Sequence, residues 1–420
     1  MVQIRRDLLQ AKIVVLMAMR AAHCVEVLPL LFLLGELRLV TADRHRAPNQ
    51  GSKHCELETQ KVSRAPCDAA PREASRAASH VLNLAAGLVR QLRYAGNMIL
   101  PTLDQIEDAQ AIVYRSMPPT PQYSWPLINQ RLGLEAWVKH ENHTPVGAFK
   151  LRGALVYLEW LKRTESGLVG VVAATRGNHG QGVGMAAKLL GLKAAIVVPK
   201  GNSIEKNLAM RALEVELIEF GYDFQESLVY ARTLAGNRDW AMIDSFHQRL
   251  VMGTSTYALE FFRGAPKLDA IYVPIGLGSS ICGVAAVRNA LDLNTEIVGV
   301  VASQSPSYAL SFRQKTIVEA PAGTAIADGL ACRTPHPTAM DVIWKNVSRV
   351  VEVSDVEIAE AMRAYYQGTH NVAEGAAAAP LAAAMRESSA MQGKRIGLVL
   401  TGSNVDSGVL ARVLTGSFGQ

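Results

Sequence analysis

The chain has 420 residues, 49% of them hydrophobic and 19% charged, with a formal net charge of +6. That length supplies a core for one large domain or two, and the composition excludes a disordered or collagen-like chain. The charge excess is confined to residues 1–97, with 14 Lys+Arg against 8 Asp+Glu; the remainder balances, so no nucleic-acid surface is expected on the folded body.

Within residues 1–97 the apolar runs at 13–19 (IVVLMAM) and 27–35 (VLPLLFLLG) are separated by Arg20, His23 and Glu26. Each falls well short of the ~20 apolar residues that cross a bilayer, so no membrane partner is expected. Arg5, Arg6 and Lys12 before an apolar run resemble a secretory signal faintly, without a clean cleavage pattern. Residues 42–80 are polar and aperiodic. The expectation is an extension that is disordered, or an over-called reading frame whose real start is Met98. The five cysteines, Cys24, Cys55, Cys67, Cys282 and Cys332, form no C-x-x-C pair. They argue against a disulfide scaffold or structural zinc and for a reducing, cytoplasmic setting.

From Met98 onward the pattern becomes ordered. Thr102 and Gln105 make a T-x-x-Q capping box behind Pro101, predicting a helix with Leu103, Ile106, Ala109 and Val113 on one side. Short β-branched runs then alternate with helical patterns: 169–174, 194–199, 269–275, 296–301 and 395–400. Nearly continuous apolar strands separated by helices predict parallel sheets covered on both faces, an α/β fold.

Three loops carry candidate chemistry. In the first, Glu141 to Ala154, Lys150 follows Phe149 at a helix start among Gly and Ala. A lysine held against apolar neighbours has a lowered pKa and can form a Schiff base, although a solvated helix lysine is the commoner case. The second, Thr175 to Gly182, joins a strand to the helix VGMAAKLLG and offers polar groups to an anion such as a carboxylate. Its ordinary alternative is an N-cap made by Thr175 or Asn178, with His179 on the surface. The third, Gly276-Leu277-Gly278-Ser279-Ser280, can close backbone N–H groups around a phosphate, or simply let a helix pack closely. It matches neither the dinucleotide nor the Walker spacing, since Ile281 stands where a third glycine would be. A reactive lysine, a phosphate cradle and a carboxylate loop together are what pyridoxal phosphate needs to act on an amino acid.

Six segments, HTPVGAFKLRGA, ATRGNHGQG, VPIGLGSSICGV, IADGLA, VAEGAAAAPLAA and LTGSNVD, lie in the family's order within residues 98–420. On them the chain resembles the fold type II pyridoxal-phosphate enzymes, in the threonine dehydratase and serine racemase branch. The resemblance implies two open parallel-sheet domains of the tryptophan synthase β-like kind, with residues 98–168 and 248–420 as the larger and 169–247 as the smaller. It makes Lys150 the Schiff-base lysine and Phe149 the aromatic against the cofactor ring. Asn178 would bond the ring hydroxyl, Thr401 the pyridine nitrogen, and Gly276, Leu277, Gly278 and Ser279 the phosphate. Thr175, Arg176, Gly177, Asn178 and His179 would hold the substrate carboxylate.

The departures refine this. Arg176 stands where the racemases have a serine acting as the second base, and arginine stays protonated, so elimination is favoured over racemisation. Arg176 could pair with a substrate carboxylate or tie the loop to a helix. Pro266 stands where cation-activated members have an acid six residues after a glutamate matching Glu260, so no metal site is expected. The activity implied is deamination of L-threonine to 2-oxobutanoate and ammonia, with L-serine as a further substrate, by a homo-oligomer (dimer or tetramer). The alternatives are a 3-hydroxyaspartate lyase, a serine racemase, and a non-catalytic pyridoxal-phosphate or amino-acid binding protein.

Overall fold

The structure, a computed structural model, describes residues 98–418, so the expectations for residues 1–97 lie outside the described residues. From the start of that stretch the chain runs α1 (Leu103–Tyr114), β1 (Gln122–Ser124), α2 (Pro126–Leu132), β2 (Glu135–His140) and α3 (Lys150–Thr164). Next come β3 (Gly170–Ala174), α4 (Asn178–Leu189), β4 (Lys193–Val198), α5 (Ile204–Arg211), β5 (Glu216–Glu219), α6 (Phe224–Arg238) and β6 (Ala241–Ile243). After α7 (Gln248–Gly264) follow β7 (Ala270–Pro274), α8 (Ser279–Ala290), β8 (Glu296–Ala302), α9 (Ser307–Gln314) and α10 (Pro337–Asn346). The last elements are β9 (Arg349–Val353), α11 (Asp355–Thr369), α12 (Gly375–Arg386), β10 (Arg395–Leu400) and α13 (Ser407–Thr415).

The capping box forms as its sequence dictates: Thr102 accepts from the Gln105 N–H, Gln105 accepts from the Thr102 N–H, and Ile106, Ala109 and Val113 are buried. The strands assemble into two sheets. One has six strands in the order β1-β2-β10-β7-β8-β9 and the other four in the order β5-β4-β3-β6. All pairings are parallel except β1 with β2. Successive residues of one strand enter different cores: Tyr272 and Val298 face one, Ile271, Val273 and Ile297 the other. In the smaller sheet Val171 and Ala173 face one core while Val172 and Ala174 face the other. With both faces covered there is no position for alternation, hence the continuous apolar runs. The chain thus forms two α/β domains built on parallel sheets. Among the described residues no helix is long and apolar enough to cross a membrane.

Strand order places the chemistry. β2, β10 and β7 are neighbours in the larger sheet, so the segments after their carboxyl ends lie side by side. These are the segments leading to Lys150, to Thr401 and to Gly276. In open parallel sheets the carboxyl edge is where ligands bind.

Candidate active site

The Lys150 segment and the segment after β10 are stitched by backbone bonds. The Phe149 N–H donates to the Thr401 carbonyl at 3.0 Å, the Ser403 N–H donates to Gly147 at 2.9 Å, and Ala148 bridges Gly402. Lys150 is the first residue of α3, and its Nζ lies 4.8 Å from the centroid of the buried Phe149 ring. Burial pushes its pKa down to about 8, against the opposing pull of the Glu374 carboxyl. Helix α4 approaches this point closely enough that a Cβ on Gly182 would sit 3.0 Å from the Lys150 carbonyl.

The loop from Thr175 enters α4 differently from the simple N-cap. Gly177 is the N-cap and offers no side-chain cap; the Thr175 hydroxyl instead accepts from the Gly177 N–H at 3.0 Å. Asn178 is already helical. Its Nδ2 donates to Glu374 Oε1 at 2.7 Å, and its Oδ1 accepts from Asn404 Nδ2 at 2.9 Å. With both ends fixed, one amide N–H of Asn178 remains to be donated to a ligand.

His179 corrects the surface alternative, because it is buried beneath the loop. Among the described residues neither ring nitrogen makes a well-formed hydrogen bond, the backbone of Ile243 being the polar group that faces the ring. Burial, then the Lys150 charge, outweigh the backbone of Ile243 and push its pKa down to about 3, so the ring is neutral. Arg176 stands apart. It is exposed, and among the described residues it forms no ion pair. It does not tie the loop down through a carboxylate.

The third loop begins after β7. Helix α8 starts at Ser279 behind Gly278, whose φ of 97° favours glycine and which gives no side-chain cap. Among the described residues no backbone carbonyl takes the N–H groups of Gly276, Leu277, Gly278 or Ser279, leaving a row of donors at a helix start. Tyr257, fully buried on α7, connects this loop to the lysine segment. Its ring meets Phe149 edge-on at 6.2 Å, and its hydroxyl lies 2.6 Å from Ser280 Oγ. Tyr308 supports the loop from the other side, donating to the Leu277 carbonyl at 3.0 Å.

Two groups at the site escaped the sequence reading. Glu374, the N-cap of α12, is buried, and burial raises its pKa to about 7 despite Lys206, the Asn178 bond and Lys150. Its motif was visible, but nothing in an alanine-rich run signals a carboxylate between two lysines. Two residues beyond Lys150, Arg152 centres a buried ion cluster. Arg152 holds Glu141 through Nε (2.7 Å) and Nη2 (3.0 Å), and Glu260 through Nη1 (2.6 Å) and Nη2 (2.9 Å). Lys139 Nζ adds a bond to Glu260 at 2.6 Å. Glu260 is thereby engaged by two cations of the chain itself.

The chain matches the family described as pyridoxal-phosphate dependent enzyme over residues 113–402. An L-threonine ammonia-lyase of Geobacter sulfurreducens is 35% identical, over 66% of this chain and 69% of that protein. An L-threo-3-hydroxyaspartate ammonia-lyase of Saccharomyces cerevisiae is 31% identical, over 76% of this chain and 98% of that protein. Among solved structures, maize serine racemase superposes with a TM-score of 0.71 at 28% identity, covering 76% of this chain and 98% of that one.

Proposed function

The chain belongs to the pyridoxal-phosphate dependent enzymes, with ammonia-lyases among its relatives, and from that premise we propose that it deaminates L-threonine to 2-oxobutanoate and ammonia, and L-serine to pyruvate. The donor set fits pyridoxal 5'-phosphate. A half-buried amine stands beside an aromatic ring, a row of free backbone N–H groups opens α8, an oriented amide has one N–H to give, and Thr401 places a hydroxyl at the end of β10. In this reading Gly276, Leu277, Gly278 and Ser279 hold the phosphate, Asn178 the ring hydroxyl, Thr401 the ring nitrogen, and Phe149 packs on the ring. The smaller domain, residues 169–247, then contains the whole four-stranded sheet and forms one wall of the cleft.

Bound there, pyridoxal phosphate supplies the electron sink that makes the substrate Cα–H acidic. Lys150 does the proton work. An amine titrating near 8 is unprotonated in useful fraction at neutral pH, so it can take the Cα proton, and the ammonium so formed can hand that proton to the β-hydroxyl, which leaves as water. The loop Thr175 to His179 orients the substrate by its carboxylate at the start of α4. Thr401 would offer the ring nitrogen a hydroxyl rather than a carboxylate, a partner that would not hold that nitrogen protonated. The enamine released afterwards hydrolyses to the 2-oxo acid and ammonia. The observation that carries the reading is the Lys150 amine held over the Phe149 ring and facing Glu374, the carboxyl that fixes the Asn178 amide.

One observation favours a second reading. Arg176 is an exposed cation with no ion pair among the described residues, suited to a β-carboxylate such as that of L-threo-3-hydroxyaspartate. A single experiment separates the two. The full chain with pyridoxal phosphate is given L-threonine, L-serine and L-threo-3-hydroxyaspartate, and 2-oxo acid and ammonia are quantified. Threonine turnover abolished by Lys150→Ala supports the first reading. Preference for hydroxyaspartate, lost selectively in Arg176→Ala, replaces it with the second.

A further inference from the structure

The smaller sheet's unit touches the larger one at an unusual place, the first turn of α5. Ser203, whose hydroxyl caps that helix by accepting from the Lys206 N–H, also donates to Asp406. Glu205 Oε1 accepts from both the N–H and the hydroxyl of Ser407, at 2.9 and 2.6 Å. Lys206 pairs with Asp328 in the IADGLA segment. One turn therefore makes three polar contacts, all to segments beyond the smaller sheet.

Lys206 differs from its two neighbours in position. Its side chain is only 11% exposed. Its stem lies over the substrate loop so closely that a Cβ on Gly177 would come within 2.9 Å of Lys206 Cδ. Burial works against its charge, yet Asp328, Glu374 and Asp406 outweigh it and hold the pKa above the ordinary lysine value. The groups facing Glu374 are in turn Lys206, Asp328, Asn178 and Lys150. The same ammonium thus spans the cleft and neighbours the carboxyl that orients Asn178.

We propose that Lys206 is a positioning residue of this site: reaching over the Thr175–His179 loop to Asp328, it clamps the first turn of α5 to the larger domain and closes the cleft over the bound substrate. The proposal rests on the reading of Lys150 and Asn178 as the centre of that cleft. It assigns Lys206 no contact with the reacting atoms. Its effect is geometric, because a substrate loop free to swing out loses alignment with Lys150.

The test uses the full chain loaded with pyridoxal phosphate, comparing wild type with Lys206→Met, Lys206→Arg and Asp328→Asn. Two readings are taken: KM and kcat for the best substrate, and the rate at which added borohydride bleaches the cofactor absorbance. Lys206→Met and Asp328→Asn each raise KM about tenfold and bleach several-fold faster, and Lys206→Arg recovers most of both. The double variant is no worse than either single one, since both remove the same contact. Lys206→Met also moves the acid side of the pH–rate profile upward, because Glu374 has lost a facing cation that draws its pKa down; Arg238→Met, which breaks the pair with Glu216, does not. Unchanged KM and bleaching, with only a lower Tm, would overturn the clamp. Should Lys206→Met fail to fold, Asp328→Asn gives the same readings. If wild type turns over none of the three hydroxy-amino acids, the proposed reaction fails, while the bleaching rates still decide the clamp.

Discussion

The amide of Asn178 donates to the buried carboxyl of Glu374 across 2.7 Å, joining the first turn of α4 to the first turn of α12. Two elements separated by almost two hundred residues thus share one hydrogen bond at the centre of the site. Because Glu374 titrates near neutrality, the bond's character changes with pH: a carboxylate accepts from the amide more strongly than a neutral acid does.

That gives a stability signature. Burial raises the Glu374 pKa from 4.5 to about 7, so the folded protein binds this proton more tightly than the unfolded chain. The associated stabilisation is complete below about pH 4.5 and is lost as pH rises through 7. Glu374→Gln removes the titration and flattens this fall, by on the order of 3 kcal/mol at full extent. Denaturant melts of the cofactor-free full chain at pH 5 and pH 8 check it. An identical pH slope in wild type and variant would place the proton elsewhere.

His179 has the opposite sign. Its pKa is pushed from 6.5 down to about 3, so the folded state resists protonation. Stability is complete above pH 6.5 and declines as pH falls towards 3. His179→Gln, which cannot ionise, drops less in Tm than wild type between pH 6.5 and 4. A scan showing parallel Tm curves would mean that the ring does not govern acid sensitivity.

The ion cluster around Arg152 is expected to be costly to break. Glu260→Gln leaves Lys139 and Arg152 buried with one carboxylate between them, and stability should fall by about 3–5 kcal/mol. Chemical denaturation measures this directly. A loss below 1 kcal/mol would show that water enters and solvates the cations.

At the proposed phosphate loop the prediction is steric. A Cβ on Gly276 would lie 2.4 Å from the Gly329 carbonyl oxygen, so Gly276→Ala must shift the donors that open α8. Pyridoxal-phosphate affinity then falls by about tenfold or more while far-ultraviolet circular dichroism is unchanged. Spectroscopic titration with the cofactor reads it, and wild-type affinity would remove this loop from the phosphate site.

How far the sequence disclosed the fold follows from where side chains point. β3, β4, β7, β8 and β10 were legible because both of their faces meet apolar cores. β2 was hidden: Lys139 and His140 are buried in that strand, Lys139 against Glu260, which lies on another element. β5, reading ELIE at a sheet edge, carries a polar pattern that periodicity cannot separate from a loop. At the site, Lys150, Asn178 and the glycine loop stood out as motifs. Glu374 and Lys206 did not, since their importance lies in mutual distance rather than spacing. His179 invited a surface reading because a polar residue at a helix start is ordinarily wet, and the overlying loop reverses this.

The position of β10 has a consequence during synthesis. Among the described residues it is the last strand to leave the ribosome, yet it lies between β2 and β7 in the middle of the larger sheet. Until it arrives, β2 and β7 have no common neighbour, and the lysine segment lacks the Thr401 carbonyl that anchors Phe149. A nascent chain could thus assemble the four-stranded unit early while its amine stays unaligned with the loop after β7. Insertion of that one late strand would close the sheet and bring the lysine segment and the Gly276 loop of the proposed site together in the same event.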